Sequence, residues 1–183
     1  VGVDVDIAKA IADYLGVELV VEDMEFNAIV PAVMNGKADF GAAGMTVNEE
    51  RLKQVDFSIE YVKSAQYVVV PVDSTLTIED LKNEGVKIGV QEGTTGQFYC
   101  TGEECKNDEA SPDVLGYDSA LYAAQELMNG KCDAVVIDKL PAENIVENNS
   151  DKLKMIDQAL TEESYAIAVK KGNADLVEVI DTV

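Results

Sequence analysis

Arg51 is the single arginine in a chain that carries 13 lysines. A guanidinium presents a rigid fork that grips a carboxylate through two parallel hydrogen bonds, a geometry an ammonium cannot copy. Its place a few residues after Gly44-Met45-Thr46 makes it a candidate anion clamp, with the Thr46 hydroxyl nearby. Further along, Gly93-Thr94-Thr95-Gly96 follows an apolar run and opens a helical pattern. Backbone N–H groups and hydroxyls at such a helix start can meet an anion. Asp138 ends another apolar run and offers the opposite charge. A carboxylate held by Arg51 with the Thr94-Thr95 turn, and an ammonium held by Asp138, describe an α-amino acid. Each residue alone has a plainer use: a solvated helix arginine, a threonine cap, an aspartate turn former. Their recurrence at corresponding strand ends is what favours a site.

The elements that must position these residues announce themselves through a repeat. Met34-Asn35-Gly36-Lys37-Ala38-Asp39 returns as Met128-Asn129-Gly130-Lys131-Cys132-Asp133, each time leaving a helical pattern and entering an apolar run. Gly just past the last apolar-periodic residue is a helix stop. Five residues beyond each Asp lie Gly44 and Asp138, and open α/β sheets bind ligands at the carboxyl ends of their strands. Helices are expected over 4–15, from an Asn27 cap, from an Asn48 cap, over 94–100, 119–128 and 141–147, and from Asn173 to Val183. Strands are expected over 17–21, 39–43, 66–72, 86–91, 114–117, 134–137 and 165–169, with a capping box at Thr77-Ile78-Glu79-Asp80. The runs 66–72 and 165–169 read as crossovers. The expected fold is therefore α/β and two-lobed, each lobe a mostly parallel sheet flanked by helices. Residues 1–70 plus 168–183 make lobe one and 71–167 lobe two, with the cleft as the default site.

Composition removes several classes. The 183 residues carry a formal charge of −21 and no His, so nothing would neutralise the phosphates of a nucleic acid, and structural zinc lacks its usual ligands. The carboxylates are spread along the chain, which reads as solubility. No run approaches the ~18 apolar residues of a membrane span. Cys100 and Cys105 could close a local disulfide, while Cys132 reads as a buried strand residue. The chain starts at Val1 almost directly in a helix, and its last helical pattern reaches Val183 uncapped; sequence is expected to be missing on both sides.

With these residues in order, the chain resembles the extracytoplasmic solute-binding proteins of the polar amino-acid class (family 3), the receptor components of ABC importers. The resemblance rests on Gly2-Val3-Asp4-Val5-Asp6-Ile7 with Ile11-Ala12, and on Phe26-Asn27-Ala28-Ile29-Val30-Pro31. It rests also on Ala43-Gly44-Met45-Thr46 with Glu50-Arg51, on Val55-Asp56-Phe57-Ser58, on Gly89 to Gly96, and on Asp133 to Asp138. Val3 departs from the larger residue usual in the opening motif. The resemblance implies a periplasmic-binding-protein-like fold that binds a free amino acid by hinge closure and hands it to a membrane permease. It implies no cofactor and no catalytic residue. It implies a location in the periplasm or on the outer face of the cytoplasmic membrane, touching the membrane only through a partner or a lipid anchor. By position, Arg51 would clamp the carboxylate with Thr46, Gly44 would offer its carbonyl to the amino group, and Thr94 and Thr95 would complete the carboxylate site. Asp138 would bind the ammonium, Phe26 would lie against the ligand, and Gln91 and Ile137 would border the side-chain pocket. Two alternatives stay open on the same fold: a cyclohexadienyl or arogenate dehydratase using Glu92 as its acid, and a sensor module of a membrane receptor or kinase.

Overall fold

The computed structural model describes residues 2–102 and 110–183. Cys105 lies outside the described residues, and with it the expected Cys100–Cys105 bridge. The chain forms two compact units, Val1–Lys63 with Glu163–Val183, and Ser64–Glu162.

In the first unit, α1 (Val3–Leu15) buries Ala8, Ile11 and Ala12 and stops at Gly16 in the left-handed conformation. It is followed in sequence by α2 (Phe26–Met34) and β1 (Phe40–Gly41), then α3 (Glu49–Gln54) and β2 (Val55–Phe57). Three later elements, β9 (Glu163–Tyr165), β10 (Ala168–Lys170) and α7 (Ala174–Thr182), return to this unit. Its sheet has the order β1-β10-β2, with β10 antiparallel to both neighbours. Thus β1 and β2 share a direction, and β10 runs against both. Ile11, Ile167, Val169 and Ile180 form one core cluster, and Val33, Met45, Val55 and Ala168 another. The short strands β3 (Val62–Ser64) and β9 (Glu163–Tyr165) pair separately.

The second unit holds β4 (Gln66–Pro71), β5 (Lys87–Gln91), β6 (Asp113–Tyr117), β7 (Ala134–Asp138) and β8 (Leu153–Met155), in the spatial order β6-β5-β7-β4-β8. The pairs β5–β6 and β5–β7 are parallel, whereas β4 is antiparallel to β7 and β8. The sheet is therefore mixed, because the strand that brings the chain into the unit is inserted against a parallel set. Helices α4 (Thr95–Thr101), α5 (Ala120–Met128) and α6 (Lys139–Asn148) complete it. Side chains alternate faces along a strand. Val69 packs with Ala123, Leu127, Ala142 and Ile145, while Val68 and Val70 pack with Leu81 and Cys100. Burial on both faces explains why β4, β5 and β7 read as continuous apolar runs.

The repeat is a shared helix ending. In α2 and α5 alike, Asn keeps the helical conformation and the following Gly turns left-handed, at φ 71° for Gly36 and 72° for Gly130. Gly36 and Lys37 donate back to Val33 and Ala32 at 3.1 and 2.9 Å, and Gly130 and Lys131 donate to Leu127 and Glu126 at 3.0 and 2.9 Å. This double bond pattern satisfies the orphan carbonyls of a helix end. In the second copy, the Asp133 carboxylate also accepts the Lys87 N–H at 2.8 Å, fixing the start of β5.

Four expectations are corrected. Residues 17–21 form no strand: Val17, Val20 and Val21 are exposed, Val20 to 75 %. Strand propensity needs a neighbour to take the backbone hydrogen bonds, and the described residues place no ladder beside this run. Asn27 lies inside α2 rather than capping it, because the Ala28 N–H already donates to the Glu25 carbonyl at 2.9 Å. The run 39–43 shortens to the two residues of β1. The run 165–169 divides between β9 and β10, because the Ala166 N–H turns to the Met45 carbonyl and the Ile167 N–H to the Ser58 hydroxyl.

Candidate functional site

Asn48 caps α3 through its side-chain oxygen, which accepts the Arg51 N–H at 2.8 Å. That cap orients the first turn so that Arg51 points inward, and it is only 6 % exposed. Its Nη1 donates to the Thr46 carbonyl at 2.7 Å, and its guanidinium carbon stands 5.4 Å over the Phe26 ring. The carbonyl and the aromatic face together hold the planar group in one orientation. Thr46 is buried, and its hydroxyl donates to Glu163 Oε2 at 2.6 Å.

Gly44 is left-handed at φ 57°, and a Cβ there would meet the Tyr165 ring at 3.3 Å. Its N–H donates to Asp4 Oδ2 at 2.8 Å, and the other oxygen of Asp4 accepts the Tyr61 hydroxyl at 2.5 Å. Burial foremost, and then the Asp4 carboxylate as hydrogen-bond partner and neighbouring charge, push the Tyr61 phenol well above its ordinary range. The first unit therefore brings Gly44, Thr46, Arg51 and Phe26 together. Asp4, Tyr61 and Glu163 were missed among the candidates. Asp4 was visible only as part of a motif, and the other two carry no local signal.

In the second unit, Thr94 caps α4. Its hydroxyl accepts the Gln97 N–H at 3.3 Å and donates to the Gln91 carbonyl at 2.7 Å, while Gln97 Oε1 accepts the Gly93 N–H at 2.8 Å. The Gln91 side chain reaches the Asp118 carbonyl. Thr95, the first residue of α4, and Asp138, the last of β7, are joined by the amide of Gln66, a residue absent from the candidates. Ile137 is buried in the core beneath α5 and α6. Glu92 packs over Gly116. Cys132 is a free buried thiol, and burial pushes it up to about 11.

The first unit thus presents a guanidinium with a hydroxyl, the second a carboxylate with a hydroxyl at a helix start. Such groups recognise complementary charge.

The family model for bacterial extracellular solute-binding proteins, family 3, matches residues 1–183. A probable histidine-binding protein of Neisseria gonorrhoeae is 31 % identical, the match covering 98 % of this chain and 67 % of that protein. The arginine-binding extracellular protein ArtP of Bacillus subtilis is 34 % identical, covering 94 % and 67 %. Among solved structures, holo ArgBP from T. maritima superposes with a TM-score of 0.89 at 42 % identity, covering all of this chain and 78 % of the other. The arginine-bound AbpA of Streptococcus pneumoniae gives 0.88 at 32 %, covering all of this chain and 76 %. The chain spans about two thirds of the length of these curated relatives.

Proposed function

We propose that this chain, which belongs to the bacterial extracellular solute-binding proteins of family 3, binds a free α-amino acid by hinge closure of two lobes and delivers it to an ABC importer permease. The relatives named above are histidine- and arginine-binding proteins, and others are named for cystine and glutamine. The observation that carries the reading is the buried Arg51, its guanidinium oriented by the Thr46 carbonyl and the Phe26 ring. In this reading Arg51, with Thr46, takes the ligand carboxylate and Gly44 receives the amino group. Thr94 and Thr95 complete the carboxylate site, Asp138 pairs with the ammonium, Phe26 lies against the ligand and Gln91 borders the side-chain pocket.

The energetics favour a zwitterion. A charge left unpaired in a closed, desolvated cleft costs several kcal/mol, so a ligand lacking the amine would leave Asp138 uncompensated. Closure is then selected by the ligand that satisfies both half-sites. The family is extracellular, and we place this protein in the periplasm or on the outer face of the cytoplasmic membrane.

A thermal-shift screen against the twenty amino acids and their keto-acid analogues tests the reading, with Arg51→Ala as control. Ligand at 100 times its Kd stabilises by about 2.7 kcal/mol. A shift with one or a few amino acids, absent with keto acids and lost in the control, is expected. No shift with any amino acid refutes the proposal.

A further inference from the structure

We infer that Gln66 is a positioning residue: its buried amide ties the Asp138 carboxylate and the Thr95 hydroxyl together, fixing the separation between the groups that meet the two charges of an amino-acid ligand. The inference rests on the proposed function and extends it to a residue outside the ligand contacts.

The geometry begins in the sheet. Gln66 opens β4 directly opposite Asp138, the last residue of the antiparallel β7. Residues facing each other across a strand pair project to the same side within reach of one another. Gln66 is 0 % exposed, and its Nε2 donates both to Asp138 Oδ1 and to Thr95 Oγ1, the latter at 3.1 Å. A primary amide carries two N–H donors on one nitrogen, so a single rigid group can serve both acceptors. Asp138 ends a strand and Thr95 begins a helix, and the amide links these two elements where their ends converge.

The main chain of Gln66 is fixed as well. Its N–H donates to Thr161 Oγ1 and its carbonyl accepts the Leu160 N–H, each at 2.9 Å. The side chain thus swings from an anchored base. From the other side, α4 is pressed against it: a Cβ at Gly96 would lie 2.6 Å from Gln66 Oε1 and 3.1 Å from the Val136 carbonyl. Glycine lets the helix start approach until the amide itself sets the spacing.

The chemistry of the donor matters too. An amide stabilises an ionised carboxylate by hydrogen bonding without cancelling its charge. A lysine or arginine in the same place would pair with Asp138 and leave nothing for an ammonium. A leucine would pack beside Val68 and Val136, but Asp138 and Thr95 would each lose a buried donor.

Double-mutant cycles test the inference, using Gln66→Met, which keeps the length and drops the amide, with Asp138→Asn and with Thr95→Ala. The unfolding equilibrium in urea needs no ligand. There, coupling between positions 66 and 138 is expected to reach about tenfold in the equilibrium constant, and additive effects would overturn the tie even if the amino-acid reading fails. Binding is then measured by calorimetry with L-arginine, followed by L-histidine and L-glutamine, each against its des-amino acid. In the folded Gln66→Met variant, the preference for the amino acid over the des-amino acid should shrink by about 10- to 100-fold, and this loss should vanish in the Asp138→Asn background. A variant that loses stability but keeps the full preference would make Gln66 a structural residue only and overturn the inference. Should Gln66→Met not fold, Gln66→Asn shortens the arm by one methylene and must give the same loss of preference. A wild type that binds none of the three, with the 66–138 coupling intact, would count against the proposed ligand class and leave the tie standing.

Discussion

Arg51→Lys keeps the charge at position 51 and removes its geometry. In the parent, the guanidinium donates a buried charge-assisted hydrogen bond, 2.7 Å to the Thr46 carbonyl, and lies 5.4 Å over the Phe26 ring. Hydrogen bonds to charged groups contribute about 1.5–3 kcal/mol, and a partly desolvated cation over an aromatic face about 0.5–2 kcal/mol. An ammonium can recover part of the first but has no planar face for the second, and it is more strongly hydrated, so burying it costs more. The net expectation is a loss of about 1–3 kcal/mol in the ligand-free protein. With a urea slope of about 1–3 kcal/mol per molar, the midpoint falls by roughly 1 M. Far-UV circular dichroism reads this directly, as the chain has no Trp. A Phe26→Leu variant isolates the aromatic share and should account for less than half of the loss. An unfolding free energy for Arg51→Lys within about 0.5 kcal/mol of the parent would refute the reasoning, because it would mean that position 51 behaves as an exposed charge.

Two further expectations concern ionisation. The raised Tyr61 phenol, buried and bonded to Asp4, stays protonated in the folded protein at a pH where the unfolded chain ionises. Stability from this group is therefore fully present below about pH 10 and is lost as pH rises further. Tyr61→Phe should flatten the alkaline fall of the urea midpoint between pH 8 and 11, and parallel profiles would contradict the assignment. Cys132, held up to about 11 by burial, follows the same sign, its contribution declining from about pH 9 upward. At pH 8 its thiol should resist a disulfide reagent in the folded protein and react on unfolding in urea, as mapped by peptide mass; labelling of the folded chain at Cys132 would show that the segment leading into β7 opens.

What was legible in the chain was local. The Asn48 cap sits three residues before the N–H it satisfies, and each Asn-Gly-Lys ending closes hydrogen bonds within six residues. In the second unit, the strands expected over 114–117 and 134–137 differ by one residue from β6 and β7; β7 is buried along nearly its whole length, and such a run carries its own apolar signature. The resemblance implied that Arg51, Thr46, Gly44 and Phe26 meet one ligand, and the fold sets Arg51 against the Thr46 carbonyl and the Phe26 ring. The run 17–21 misled for the complementary reason: alternation and β-branching describe a strand's readiness, and only a partner across the ladder realises it.

Tertiary structure alone decided which polar groups meet. Thr46 finds Glu163 at a separation of 117 residues, Tyr61 finds Asp4 across 57, and Gln66 finds Asp138 across 72. None of these pairs has a spacing rule, since the sheet register that brings them together depends on every strand between them. The direction of the inserted strands was also beyond the local pattern: β4 and β10 are apolar like their neighbours, and they run antiparallel to them. The sequence by itself determined most of the helices, the Asn48 cap and the two Asn-Gly-Lys helix endings. Long-range pairing determined which of those residues are held, by what, and in which orientation, because a hydrogen bond between distant residues exists only after the core has fixed the backbone on both sides.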